Sequence, residues 1–201
     1  MTPLSPGSRP APVRRLASVG ALALALSGCG GATPLTFDLA ALPAPARTGA
    51  ATRTIVVAEP VGLQTLEADR IIVREPSGAL SFLGGGQWAD RLPRLIQARI
   101  IQSLENSGRL RSVSRPGDKV VAAYQLVSEI RTFDIDARTG EAVADISAKI
   151  VAEGTGRVVD ARIFTARVPV PRIDPGSAGA GLDAALTRVL TDLVRWVNQG
   201  R

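Results

Sequence analysis

Residues 144–153, ADISAKIVAE, put Ala144, Ile146, Ala148, Ile150 and Ala152 on one face and Asp145, Ser147, Lys149 and Glu153 on the other. Alternation sustained over that length fits a strand with one face buried and one in water. A slip of one residue would turn the whole apolar row outward, so the register of this strand is fixed by its own sequence. It needs strand neighbours on both sides and a layer over its apolar face. The neighbours are at hand. Residues 123–136 (AYQLVSEIRTFDID) and 157–170 (RVVDARIFTARVPV) are long strand candidates, and ARTG and GTG supply the hairpin turns between them and the 141–153 strand.

The cover comes from two amphipathic helices. In the first half, residues 53–62 read as a strand closed by Pro60 and Gly62. Residues 69–78 follow as a second strand, closed by Pro76-Ser77-Gly78. ALSFL is a short third strand that runs into a glycine loop, Gly84–Gly86. Asp90 is placed to cap a helix whose first turn tolerates Pro93. Leu92, Leu95, Ile96, Ile100 and Leu104 recur at helical spacing until Asn106-Ser107-Gly108 stops them. After PRIDPGSAGAG, a second helix aligns Leu182, Leu186, Val189, Leu190, Leu193 and Val197. The economical architecture is a single α+β domain: a largely antiparallel sheet with two amphipathic helices packed on one face.

The first 28 residues stand apart from that domain. Arg9, Arg14 and Arg15 precede the apolar run LASVGALALAL, and no acid appears before Asp38. A positive n-region, a short apolar core and small residues at the cut mark a secretory signal. The run is shorter than the roughly 20 apolar residues a membrane span needs. Leu26-Ser27-Gly28-Cys29 resembles the lipobox of bacterial lipoproteins, which makes Cys29 the expected lipidation site. It is the only cysteine, and the chain has no His, so neither a disulfide within the chain nor a Cys–His pair is available.

Removal of residues 1–28 takes three arginines and no acid, which lowers the formal charge from +6 to +3. With no basic cluster interleaved with aromatics, nucleic acid is not an expected partner. Residues 29–52, small and rich in Pro, Ala and Gly, read as a flexible tether, with LTFDLAAL as a candidate first strand inside it. Residues 53–201 form the expected folded domain.

The order of these pieces is itself informative. Asp69-Arg70 stands before a strand ending in Arg74. The Trp88-Ala89-Asp90 helix start follows, then a Tyr124/Leu126/Phe133 strand, a hairpin and a terminal helix. As an ordered set these resemble the ABC-type transport auxiliary lipoproteins, a family that includes the lipoprotein subunit of the paraquat-inducible system. The resemblance implies a non-enzymatic periplasmic accessory. Its partner would be a mammalian-cell-entry (MCE) type protein and, through it, an ABC permease and ATPase. It also implies acyl chains in a membrane and leaves room for self-association. Gly30 after the lipidated Cys, where many inner-membrane lipoproteins carry Asp, favours the outer membrane. The competing reading is a stand-alone envelope lipoprotein with a structural or small-ligand-binding role.

Several motifs suggest chemistry and are better explained without it. Gly84-x-Gly86-x-x-Ala89 fits a dinucleotide fingerprint, but the acid expected about 20 residues on, Glu105, ends the same helix. DIDARTGE hints at a calcium loop, yet Arg138 occupies a ligand position and Gly140 is misplaced. Asp134 and Asp136, two apart on a strand, read as a solvated edge. Trp88, Tyr124 and Trp196 read as core aromatics. No cofactor, metal or catalytic residue is expected. Phe82, Leu83 and Trp88, gathered around three glycines, are the candidate partner-binding residues, with core packing as the alternative for Phe82 and Trp88.

Overall fold

A computed structural model describes residue 2, residues 33–44 and residues 53–199; the Cys29 lipidation site lies outside these. The spine of the fold is β7 (Tyr124–Asp136), 13 residues long. One side of it forms a full antiparallel ladder with β8 (Glu141–Ala152), which pairs in turn with β9 (Arg157–Pro169). The alternating segment is therefore central, as its pattern requires. Ala142, Ala144, Ile146, Ala148 and Ile150 all enter the core.

The other side of β7 is lined by three short strands in chain order, all parallel to it. These are β2 (Thr54–Val57), β3 (Val61–Gly62) and β4 (Arg70–Arg74), beside residues 124–126, 129–130 and 135–136 respectively. The first two strand candidates of the first half thus do not form a hairpin with each other. They are one extended course broken by Pro60, which lacks a donor for the ladder, and by the short 3-10 turn Gln64–Leu66. Beyond β2 lies β6 (Ser112–Ser114), parallel to it. Beyond β4 lies β5 (Leu80–Trp88), antiparallel, and then β1 (Leu35–Phe37), parallel to β5. The long ladders are antiparallel and the short ones parallel, so the sheet is mixed within an α+β domain.

Two helices cover it. Helix α1 (Leu92–Asn106) packs on β2 and β6, and α2 (Pro175–Gln199) on β8, β9 and β5; the two also touch each other. Pro93 lies in the first turn of α1 and Gly108, at φ 64°, ends it. The cap differs from expectation. Arg91 is the N-cap residue, and Asp90 instead accepts the Arg91 N–H at 2.8 Å and meets Arg94 Nε at 3.3 Å.

Helix α2 begins at Pro175, a full two turns before the apolar stripe that signals it. Asp174 caps it, accepting the Ser177 N–H at 2.9 Å and the Ser177 hydroxyl at 3.0 Å. These two bonds, with Arg172 nearby, hold the Asp174 carboxyl below the ordinary range. Helix-disfavouring glycines are kept in these turns because a side chain would not fit. A Cβ on Gly179 would lie 2.9 Å from the Phe37 ring. One on Gly181 would run into Val170 and stand 3.1 Å from Ala142 Cβ.

Gly86 makes the same kind of approach from the sheet. Its Cβ would lie 2.8 Å from Pro175 Cβ and 3.3 Å from Phe37. The glycines Gly84–Gly86 are accordingly not a loop. They run inside β5 where its register with β4 shifts, between the Phe82–Ile72 and Gln87–Arg70 pairs, and Gly86 pairs with Leu35 of β1 on the other side. Phe37, the lone aromatic of the first strand, is wedged between Gly86 and Gly179. The following residues clasp both helices: Leu39 is buried, Ala40 N donates to Asp183 at 2.6 Å, and Asn106 Nδ2 donates to Leu42 O at 2.6 Å. The compact unit accordingly reaches back to Pro34.

Candidate functional site

The three residues singled out on β5 part company in the structure. Phe82 is 50% exposed, with the Arg70 guanidinium 4.9 Å above its ring. Leu83 is half-buried against the core. Trp88 is only 2% exposed and packs on Phe133 at a ring separation of 5.8 Å. Trp88 therefore belongs to the core and offers no surface. Six residues apart, Phe82 and Trp88 would share a face in an unbroken strand; the register shift between the Phe82–Ile72 and Gln87–Arg70 pairs, which spans the glycines, lets one be exposed and the other buried.

The aromatic pair Tyr124 and Trp196, read as core, has a second role. Both line a cleft of about 330 Å³ under the last turn of α2, at the end of the sheet where β7 and β9 begin. Ile150 and Val159 complete its apolar wall, while Arg53, Asp160 and Arg162 stand among its polar residues. Local bonding sets this geometry. Trp196 Nε1 donates to Asp160 Oδ2 at 2.7 Å, and its ring meets Phe164 edge-on at 5.5 Å. Arg53 Nη2 donates to Asn198 O at 3.2 Å, a cation at the negative end of the helix dipole. An apolar wall with guanidinium groups beside it suits a small amphiphilic anion, at the lower end of ligand-pocket volumes. Arg53, Asp160 and Arg162 escaped the sequence reading. Arg53 is more than 100 residues from the other two in the chain, and no local spacing signals its meeting with them.

The acids Asp134 and Asp136 are buried, which corrects their reading as a solvated edge. Past the irregularity between Ile130 and Thr132 it is Phe133 and Ile135 that enter the core, so the two acids lie on the opposite face, where neighbours that include Arg74 and the Arg138–Thr139 turn bury them. Asp134 Oδ2 accepts Arg74 Nη2 at 2.6 Å, while its Oδ1 is buried without a partner. Burial pushes the Asp134 carboxyl above its ordinary range, against the pull of Arg74. For Asp136 burial also acts upward. It is outweighed by the N–H groups of Arg138 and Thr139, at 3.0 and 3.3 Å, and this carboxyl falls below the range. The DIDARTGE segment is thus a hairpin end stitched by its own acid. Neither carboxylate lines the cleft. Among the described residues no group of three or more His, Cys, Asp or Glu is placed to hold a metal ion.

With the geometry in view, the relatives can be named. The model of the family described as ABC-type transport auxiliary lipoprotein component matches residues 37–194. The chain belongs to that family. The family's members are described as auxiliary lipoprotein components of ABC-type transport systems. The matched span begins at Phe37, the last residue of β1, and ends in α2, so it takes in β2 through β9 entire. An uncharacterized protein of Bradyrhizobium diazoefficiens is 34% identical over 179 residues; the match takes in 83% of this chain and 46% of that protein. The chain spans about half the length of that curated relative. A crystal structure of a protein from Xanthomonas campestris superposes with a TM-score of 0.72 at 28% identity, covering 83% of this chain and 94% of that one. A second crystal structure, of an uncharacterized protein, shares the fold at a TM-score of 0.64 and 11% identity, over 82% of this chain and 99% of that one.

Proposed function

We propose that this family member is the lipid-anchored subunit of an MCE-type ABC transport system. Acylated at Cys29 and held in the outer membrane, it docks the inner-membrane-anchored MCE protein for lipid movement between the membranes. The observation that carries this reading is the family match over residues 37–194, joined to a lipobox that closes a well-formed signal. Two or more acyl chains give firm anchoring where one gives only marginal binding. On the folded unit, Phe82 is an apolar group on the surface, and we assign the docking contact to β5 around it, with Leu83 supporting from beneath. Trp88 contributes only by holding that strand to the core.

The test is capture. Full-length protein extracted in mild detergent through a C-terminal tag should bring down the MCE protein, and with it the permease and ATPase. Recovery of the lipoprotein without any of the three overturns the proposal. Phe82→Ala should weaken capture while moving the melting temperature little, because half of that side chain is already in water. The 330 Å³ cleft favours a second reading, in which the protein binds a small ligand and works without the transporter. That reading predicts intact ligand binding by protein that captures no partner.

A further inference from the structure

The face of the sheet turned away from the helices carries a feature that partner docking does not use. In β2, Ile55 and Val57 point into the core beneath the helices, and Val56 points to the opposite face. There the loop 115–123, linking β6 to β7, passes over Val56 and Gln125 with a hollow of about 570 Å³ beside it. The tip of that loop is aliphatic: Val121 is 95% exposed and Val120 stands beside it in water. Lys119 holds the turn at φ 55°. Ladder partners share a face, and the row Val56–Gln125–Val151–Val158 brings a further valine, Val158, to the same side, 51% exposed.

Cations surround this aliphatic group. Arg115, Lys119 and Lys149 are exposed near it, and Arg109, Arg111 and Arg157 stand at the adjoining end of the sheet. None of the six makes an ion pair among the described residues. The exposed acids of this region are Glu153, Asp118, Glu129, diagonal to Lys149 across the β7–β8 ladder, and Glu105, four residues before Arg109; Asp118 Oδ2 accepts the Arg115 N–H at 2.6 Å. Positive charge is thus in excess around side chains that water solvates poorly.

We infer that this end of the outer face is a peripheral binding surface for an anionic lipid bilayer. Aliphatic groups entering the headgroup boundary and cations attracted to acidic lipids act together in such contacts. A protein partner fits less well, since the apolar group is small and contains none of the aromatic anchors that dominate protein interfaces. The contact is independent of Cys29. It would fix how the anchored domain is oriented, or give it a hold on a second membrane.

Residues 29–201 with Cys29→Ser keep every strand and helix of the compact unit, so they serve as the probe free of acyl chains. This protein should co-sediment with vesicles of phosphatidylglycerol and phosphatidylcholine. It should not do so with phosphatidylcholine alone, and binding should fall steeply as salt is raised. Lys119→Glu combined with Val121→Asp should lower the partition at least tenfold with an unchanged melting temperature. Equal binding by that variant, or no binding of the parent to anionic vesicles, overturns the inference. If the double change instead abolishes capture of the MCE protein while vesicles are ignored, the surface is a protein interface and the lipid assignment is wrong. Retained capture by the full-length variant, with vesicle binding lost, separates this surface from the docking contact on β5. For the same reason, failure of one assignment leaves the other standing. Reconstituting the lipidated protein in one vesicle population and measuring clustering of a second, anionic one distinguishes a second membrane from the anchoring one.

Discussion

The two ends of β7 are built on opposite terms. At the Asp136 end, charges meet charges: Arg74 with Asp134, Arg138 with Asp136, Arg167 with Glu141 and Arg172 with Asp174. Here too the glycines let β5, β1 and the first turns of α2 approach closer than any side chain would permit. At the Tyr124 end, six cations make no ion pair among the described residues, valines stand in water, and a cleft opens beneath the last turn of α2. One continuous strand connects them. The difference teaches where this fold places its stability and where it leaves chemistry for another molecule to complete.

The sharpest way to break that contrast is to truncate one apolar side chain at each end. Phe133 is fully buried against Trp88, so Phe133→Ala should cost about 3–5 kcal/mol, a large share of a typical total of roughly 5–15 kcal/mol. Val121→Ala, at a nearly fully exposed site, should stay within about 0.5 kcal/mol of the parent. Urea unfolding midpoints of the two variants measure this directly. Comparable losses would mean that the Tyr124 end is packed rather than open.

Much of the apolar core was legible in the sequence, whereas the close approaches at the closed end and the meetings at the open end were not. The strict alternation of residues 144–152 and the apolar stripes of both helices state their burial outright, because each is a local period. The glycines told the opposite of what they do. Gly84–Gly86 read as a loop and Gly176–Gly181 as a spacer before α2, since local propensity cannot see Phe37 and Val170 closing on them from elsewhere in the chain. The short strand β6 carries no signal of its own; it exists because β2 offers it an edge. The parallel course of β2, β3 and β4 along β7 was hidden for the same reason. At the candidate sites, Phe82 was found as an exposed apolar residue, whereas the meeting of Arg53, Asp160 and Arg162 depends wholly on topology.

A smaller effect separates two glycines required by packing from one that is not. Gly181→Ala forces a methyl into Val170 and Ala142, and overpacking of this kind costs about 1–3 kcal/mol. Gly84→Ala meets nothing within 4 Å and has no left-handed backbone to strain. It should be neutral, or stabilise slightly by restricting the unfolded chain. Gly86→Ala, two residues along the same strand, should resemble Gly181→Ala because Pro175 is in its way. Thermal melts of the three order them. A destabilised Gly84→Ala beside a tolerated Gly86→Ala would show that α2 does not press on β5 as described.

The smallest effect sets two acids of the closed end against each other, because its pairing of charges is not uniformly favourable. Asp134 is buried with one oxygen unpartnered, and its carboxyl titrates above the ordinary 3.8. A carboxyl whose folded pKa is raised binds its proton more tightly folded than unfolded, so its ionisation withdraws stability as pH rises through that interval. Asn at this position has no charge to desolvate, and Arg74, partly exposed, can turn to water. Asp134→Asn should therefore match or exceed the parent in stability at pH 7, and the margin should shrink as pH falls below the raised value. Asp174 runs the other way. Its carboxyl is held below 3.8 by the bonds from Ser177, so its contribution is complete above the unfolded value and is lost as pH falls through the folded one. Asp174→Asn should thus be less stable than the parent at pH 7 and converge on it in acid. Urea midpoints for the parent and both variants between pH 7 and pH 3 give two difference curves of opposite sign. Acids common to all three proteins cancel in those differences. If the Asp134→Asn curve instead shows the parent gaining on the variant as pH rises, then Arg74 outweighs burial at that site, and every ion pair at this end of β7 stabilises the fold.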